Sequence, residues 1–389
     1  MIKNKLKIPT RQPLYLALLI AFASTAAAQE TTTEETKPVS EEVKAAEQQG
    51  AETAAENKSI VLDTVKVTAQ SREQELKDVP ISVTVLDASM IDNLEATNLG
   101  DLDGFVPGLE VSSGSVTQPR YAIRGISISD FGVGTDSAVG VYINGIYAAR
   151  SGGAMLAFND VERIEVLKGP QGTLFGRNTS AGAISIVTNH PTQENEGELD
   201  LRLGNNGLTY VYGLYNLPVT DSSAVRISYV SNQSDGWIKD AATGKYLNPE
   251  DNWATKVAWR TTFGNGTVLD FTWDHEVVDQ LARPAIGVVP MFGPADGPYT
   301  PPFPAKDSTD TYLNPKTVPV YNDVVNNNEQ RTFDGFTLQL YHSFEWASAT
   351  YSASYRSFDT SNREDEDGTN HTATYLDTEN VETNSSFYQ

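Results

Sequence analysis

From Gly197 onward the chain alternates apolar and polar residues in one segment after another. Leu199, Leu201 and Leu203 alternate with Asp200 and Arg202, and Val225, Ile227 and Tyr229 with Arg226 and Ser228. Val257, Trp259 and Phe263 alternate with Lys256, Ala258 and Arg260, and Leu269, Phe271 and Trp273 with Asp270, Thr272 and Asp274. Phe336, Leu338 and Leu340 alternate with Thr337 and Gln339, and Tyr351 and Tyr355 with Ser352, Ser354 and Arg356. A period of two places successive side chains on opposite faces of a pleated strand, so each strand has one apolar and one polar face. Such strands suit a soluble β-sandwich or an antiparallel transmembrane β-barrel with lipid outside and a polar lumen. Connection lengths favour the barrel. The turns at 217–223, 264–266 and 345–347 are short, whereas the connections at 233–252, 280–331 and 360–383 are long. Only 205–207 is short at the long-connection end. Short turns at one end and long loops at the other are a barrel property that a sandwich does not require.

The N-terminus agrees with a protein sent out of the cytoplasm. Lys3, Lys5, Lys7 and Arg11 precede an apolar run at 14–23, followed by Ala26, Ala27 and Ala28. That order is the one a cleaved signal peptide requires, and the run is too short for a membrane anchor. The formal net charge is −23, and the mature chain is more acidic still because the leader carries only cations. So acidic a chain is a poor ligand for nucleic acid, whose phosphates require Lys and Arg. The chain has no cysteine, so stability in an oxidising compartment cannot come from disulfides. No apolar stretch reaches the length of a transmembrane helix, so any crossing must use strands.

Residues 29–58 are rich in Glu, Thr, Ala, Gln and Lys and lack aromatics. They are expected to be a disordered acidic linker, with at most an exposed helix around 41–55, because too little apolar surface is available to offset chain entropy. The run SIVLDTVKVTA at 59–69 is β-prone and, taken alone, reads equally well as an edge strand of the domain that follows. Residues 76–190 read as an α+β domain. A strand is expected at 81–86, then a helix at 87–94 with Asp87 as N-cap. A second helical turn at 98–105 is stopped by Pro107-Gly108. Further strands are expected at 120–126, 139–143, 146–148, 161–167 and 183–188, with a short helix at 151–158. Asn144-Gly145 is a type I′ hairpin signal.

Five blocks of this domain closely resemble the plug of TonB-dependent outer-membrane receptors: DVPISVTVL at 78–86, LGDLDGFVPGL at 99–109, YAIRG at 121–125, GVYINGIY at 140–147 and VERIEVLKGPQGTLFGRNTSAGAISIVT at 161–188. Their order and spacing are those of the family. The resemblance implies an α+β plug domain followed by the strands of an antiparallel transmembrane β-barrel. It implies a receptor in the Gram-negative outer membrane for active uptake of a scarce small-molecule ligand, most often a ferric siderophore or another iron complex. Non-iron cargo such as cobalamin, an oligosaccharide or another organic molecule is the alternative. A passive outer-membrane channel and a soluble periplasmic module are the readings from other classes. The implied partners are TonB with its inner-membrane proton-motive complex, the lipid of the outer membrane and the ligand, with no nucleic acid, no catalysis and no resident cofactor.

The run that ends the linker then resembles a TonB box: Asp63, Thr64, Val65, Lys66, Val67, Thr68 and Ala69. Such a box adds a strand to a partner's sheet edge through main-chain bonds. Residues 59–75 are accordingly assigned to box and tether. In the family, plug arginines pair with acids of the inner wall. The resemblance therefore makes Arg124, Arg163 and Arg177 candidate plug contacts, and Asp200, Asp270 and Asp274 their candidate partners.

Seven strands are legible from 191 to 389, and 384–389 begins an eighth. A barrel wide enough to hold a plug has about 22 strands. At about 9–11 residues each, that needs more residues than this stretch offers. An unclosed sheet in lipid leaves backbone groups unpaired at several kcal/mol each. The chain is therefore expected to be the N-terminal part of a longer protein, its barrel incomplete.

Other motifs are decoys. The glycines of 169–176 imitate a phosphate loop but lack its Gly-Lys-Ser/Thr ending, so they are assigned to tight turns. His190, His275, His342 and His371 lack metal-ligand spacing. The acidic stretch 361–370 matches no calcium-loop spacing and reads as a solvated loop.

Overall fold

The computed structural model describes residues 66–67, 74–75, 77, 79–112, 115–128, 136–148, 150–285, 320–365 and 377–388. The expected leader, the acidic linker and residues 63–65 and 68–69 of the box lie outside the described residues.

The plug is built on one mixed sheet. Its strands are β3 (Val83–Asp87), β6 (Val139–Ile143), β7 (Ile146–Tyr147), β8 (Val161–Lys168) and β9 (Gly182–Thr188), in the order β3-β8-β9-β6-β7. Only β6 and β9 run parallel; the other neighbours are antiparallel. Two further pairs stand apart: β1 (Lys66–Val67) with β2 (Gln74–Glu75), and β4 (Leu109–Ser112) with β5 (Arg120–Ile123).

Local chemistry explains most boundaries. Asp87 accepts a 2.8 Å bond from the Met90 amide and starts the helix Ala88–Asn93, as an N-cap should. Asn98 and Asp101 form a reciprocal capping box on the 3₁₀ helix Leu99–Leu102. The Asn144-Gly145 turn has φ of +51° and +79°, as a type I′ hairpin requires. The expected strand 120–126 is cut short after Ile123 because Arg124 and Gly125 both turn into positive φ, at +54° and +72°. The expected helix 151–158 reduces to one 3₁₀ turn, Ser151–Gly153, and an unforeseen helical turn forms at Gly172–Phe175.

Buried apolar residues form the plug core, among them Leu86, Ile91, Leu99, Leu102, Val111, Ile123, Val141, Met155, Ile164 and Ile184. Gly182 is required by close approach: a Cβ there would stand 2.3 Å from the Leu167 carbonyl oxygen and 2.6 Å from Ile123 Cδ1. Gly182→Val is therefore expected to destabilise the plug by at least about 1–3 kcal/mol, the cost of overpacking, measured as a lower urea midpoint for the plug transition.

The second sheet has eight antiparallel strands in chain order. They are β10 (Glu196–Leu203), β11 (Thr209–Thr220), β12 (Ser223–Ser234), β15 (Glu250–Thr262), β16 (Thr267–Gln280), β17 (Asn328–Ser343), β18 (Ser348–Asp365) and β19 (Asp377–Tyr388). Its outer members, β10 and β19, are not paired with each other. A small hairpin of β13 (Ile238–Lys239) and β14 (Tyr246–Leu247) rises from the connection between β12 and β15. Three strands outrun expectation, and β17 does so by beginning at Asn328, inside the expected connection 280–331. β18 continues through the polar Ser361–Asp365, and β19 begins at Asp377 rather than at 384, because the ladder between them is held by backbone bonds and does not need apolar alternation.

Faces follow the alternation. Leu199, Leu201, Leu203, Ile227, Trp259, Phe336, Leu338, Tyr351 and Tyr355 are exposed on one side of the sheet. Arg226, Ser228, Lys256, Glu276, Arg331, Ser354 and Arg356 are buried on the side that carries the plug. Among the described residues no helix is long and apolar enough to cross a membrane.

Candidate functional site: the seam between plug and wall

Polar residues of the wall, spaced by two along each strand, meet plug segments in two clusters. The first lies at the short-turn end. Asp160, just before β8, sits at φ +61° and is buried. Arg226 on β12 grips its carboxylate with both arms of the guanidinium, Nε to Oδ2 at 2.7 Å and Nη2 to Oδ1 at 2.9 Å. Asn189 donates to the same carboxylate at 2.8 Å, and Arg226 Nη1 reaches Glu196 Oε2 at 3.1 Å. This forked geometry is what arginine offers and lysine does not.

The second cluster lies at the long-connection end. Arg331 on β17 donates to three plug carbonyls: Val116 at 2.7 Å, Gly152 at 3.0 Å and Met155 at 2.7 Å. Its charge is met by Glu276 on β16 at 2.6 Å, and the second oxygen of Glu276 accepts from the Ala157 amide at 3.3 Å. Two residues along β17, Glu329 accepts from Ser115 Oγ at 2.6 Å and from the Thr117 amide at 3.0 Å. Gln280 donates to its other oxygen at 2.9 Å, and Asn362 reaches Ser115 at 3.2 Å. Also toward the short-turn end, Gln339 of β17 donates to the Asn144 carbonyl at 3.1 Å, in the Asn-Gly turn. Buried polar groups are favourable only when partnered, and both clusters supply partners from plug and wall alike.

The candidates drawn from sequence are placed differently. Asp200 pairs with Arg202 two residues along its own strand at 2.7 Å, and Asp270 takes a forked bond from Arg260 at 2.6 and 2.7 Å. Asp274 faces Lys256 directly across the β15–β16 ladder. On the plug, Arg163 binds Glu162 and, at 2.9 Å, Glu165 of its own strand. The Arg177 guanidinium lies 5.7 Å from the Tyr147 ring centroid, and Arg124 is exposed. Across the seam, an ion pair joins a plug acid, Asp160, to a wall arginine, Arg226, a pairing the sequence did not single out. Sequence reading missed Asp160, Glu276, Glu329 and Arg331. Parity along β16 points to Glu276, in step with Asp270 and Asp274. Glu329 and Arg331 fell inside the stretch expected to be a loop, and only the Gln280–Glu329 pairing shows that β17 starts earlier.

Of the box, Lys66 and Val67 are described. They pair antiparallel with Glu75 and Gln74, and Val67 is fully buried against Tyr142, Leu167 and Ala183. The Tyr142 hydroxyl donates to the Phe175 carbonyl at 2.6 Å, and burial, with Tyr147 adding, pushes its pKa up to about 12. Tyr121 is also pushed up by burial, against the pull of Arg331.

His190 lies in the link between β9 and β10, with Nδ1 3.9 Å from Asp270 Oδ2. Burial holds its pKa below the ordinary value; Arg260 and Lys256 push the same way, and Asp270 and Glu162 oppose them. The folded state therefore favours the neutral ring. The unfolded chain binds the extra proton first, so this contribution is complete above about pH 6.5 and is lost as pH falls below it. Urea midpoints measured over roughly pH 5.0–7.5 are expected to fall toward acid, and His190→Asn is expected to flatten that slope. Among the described residues no group of three or more His, Asp or Glu side chains could hold a metal ion.

Comparison with known proteins agrees with this architecture. Residues 75–183 match the TonB-dependent Receptor Plug Domain. The chain is similar to the vitamin B12 transporter BtuB of Vibrio vulnificus (strain CMCP6), 29% identical over 188 residues, covering 47% of this chain and 30% of that protein. It is also similar to the pesticin receptor of Yersinia pestis, 33% identical over 122 residues, covering 31% of this chain and 18% of that protein. Its fold resembles the ferric yersiniabactin uptake receptor FyuA from Yersinia pestis, with a TM-score of 0.61 at 20% identity over 73% of this chain and 42% of that one. FpvA of P. aeruginosa aligns with a TM-score of 0.62 at 16% identity, over 82% of this chain and 40% of that one. The chain thus spans less than a third of each of these two curated relatives. A mixed sheet matched as a plug domain is thus followed by strands laid out as in solved structures of this fold, and the likeness to TonB-dependent receptors covers the plug and the first strands of the wall.

Proposed function

We propose that the protein is an outer-membrane receptor that takes up a scarce small-molecule ligand by TonB-driven displacement of its plug, the cargo being a ferric siderophore or another iron complex. The observation that carries the reading is the seam: a folded plug held against a strand wall by buried polar clusters at both ends. A plug held by hydrogen bonds and ion pairs can be released and resealed without loss of an apolar core, which suits a blocked passage that must open on demand. The outward apolar face of the eight strands fits lipid, and the short-turn end then faces the periplasm.

On this reading Asp63, Thr64, Val65, Lys66, Val67, Thr68 and Ala69 are the strand that TonB captures, with the inner-membrane proton-motive complex supplying the work. The short β1–β2 ladder and the burial of Val67 would keep that strand occupied until cargo binds. The relatives' names point to more than one cargo, and a cobalamin-like ligand is the alternative. Uptake assays on the full-length gene product in cells, with radiolabelled ferric complexes and with cobalamin, decide between them. Iron-complex uptake that stops when the proton-motive force is collapsed supports the proposal; accumulation of neither ligand class counts against it.

A further inference from the structure

The head of β17 has two sets of partners on opposite sides. Toward the plug, Glu329 and Arg331 hold segments 115–117 and 152–155, as described above. Toward the hairpin, the residues just before β17 are tied to β13 and β14. The Ala241 amide donates to the Val320 carbonyl at 2.8 Å, and the Asn322 amide donates to Asp240 Oδ2 at 3.2 Å. Asp240 is buried, and its other oxygen caps the turn through the Ala242 and Thr243 amides, both at 2.7 Å. Val320 is buried with Ile238 and Leu247 in an apolar cluster separate from the plug core. From Val320 to Arg331 the chain is continuous: Asn322 Oδ1 accepts from the Val324 amide at 3.2 Å, and a turn follows at 325–326, with Asn326 at φ +61°.

We propose that this stretch couples the hairpin to the plug: displacing the hairpin at Val320 and Asp240 withdraws Glu329 and Arg331 from the plug carbonyls and amides they hold. The coupling has a physical carrier, one short stretch of chain tied at both ends: to the hairpin at Val320 and Asn322, and to the plug at Glu329 and Arg331. On the plug side Gly152 and Gly153 pack so closely that a Cβ on either would meet the Thr117 carbonyl or the Phe358 ring at 2.9 Å. A shift of Arg331 is therefore not absorbed by side-chain slack there. Coupling between distant positions is established by non-additive effects, not by spatial continuity alone. Arg331 acts here as a positioning residue, through the plug segments it holds. The proposal rests on the receptor reading only in taking the hairpin end as the ligand-facing one.

The test is amide hydrogen exchange on the full-length protein reconstituted in lipid, with no cargo and no TonB present. Exchange is read at 115–118 and 152–157, with the β8–β9 ladder as internal control. Val320→Ser, which weakens the hairpin cluster, and Arg331→Met are each expected to speed exchange at those segments about tenfold. The double variant is expected to go no further than the faster single one, because the second change breaks a link already broken. Asp240→Asn serves if Val320→Ser lowers the yield of folded protein. Arg331→Lys, which keeps the charge but loses the fork, should restore protection only in part. Unchanged exchange in the hairpin variants, or effects that multiply in the double variant, overturns the coupling. Neither result bears on whether the protein imports iron complexes, so the two readings fail independently.

Discussion

Arg226→Met is expected to loosen the plug from its wall by about 3–5 kcal/mol, because it leaves the Asp160 carboxylate buried without its counter-charge. Two bonds of 2.7 and 2.9 Å are lost, and only the 2.8 Å bond from Asn189 remains on that group. The measurements are the urea midpoint of plug release in the full-length protein and the entry of a large antibiotic into cells that carry it. Both should change together. The double variant Asp160→Asn, Arg226→Met should recover most of the loss, since no charge is then left buried, and asparagine tolerates the positive φ at 160. Arg124→Glu provides the contrast. That side chain is exposed, so the change should stay within about 0.5 kcal/mol and leave permeability unchanged. A leak from Arg124→Glu equal to that from Arg226→Met would refute the assignment of the seam.

On the proposed function, deletion of residues 63–69 should reduce uptake to the level of passive entry while ligand binding at the cell surface stays intact. On that proposal the box pairs through its main chain, so its removal takes away the strand assigned to the partner's sheet edge. Val67→Asp tests occlusion. A carboxylate cannot remain unpartnered among Tyr142, Leu167 and Ala183 without a cost of several kcal/mol, so β1 should detach. Protease cleavage around residue 67, and capture by the TonB C-terminal domain without cargo, should then both increase. Uptake that persists after the deletion would favour a passive channel.

The strands of the wall were legible because burial on one side and exposure on the other imposes a period of two. Leu199, Ile227, Trp259, Phe336 and Tyr355 all lie on the face their parity assigns. The Asp87 cap and the Asn144-Gly145 turn were legible for a similar reason, since their chemistry is complete within four residues. The ends of β17 and β18 were not. Their first and last residues are polar on both faces and are held in the sheet by ladder bonds to a neighbour. The site was harder still. Asp160 and Arg226 are far apart in sequence, and neither looks different from a solvated charge until the plug is seated.

What the sequence determined by itself is the architecture: a plug resemblance in five blocks, then strands of alternating polarity whose connections are short at one end and long at the other. Those features are local and periodic, and each is set by the backbone's two dihedrals and by which face must avoid water. What only the tertiary structure decided is which charges meet. Asp160 with Arg226, and Arg331 with Glu276 and three plug carbonyls, depend on the register between two sheets and on the depth at which the plug sits. Register across separate elements is a sum over all their contacts, and no single stretch of the chain contains it.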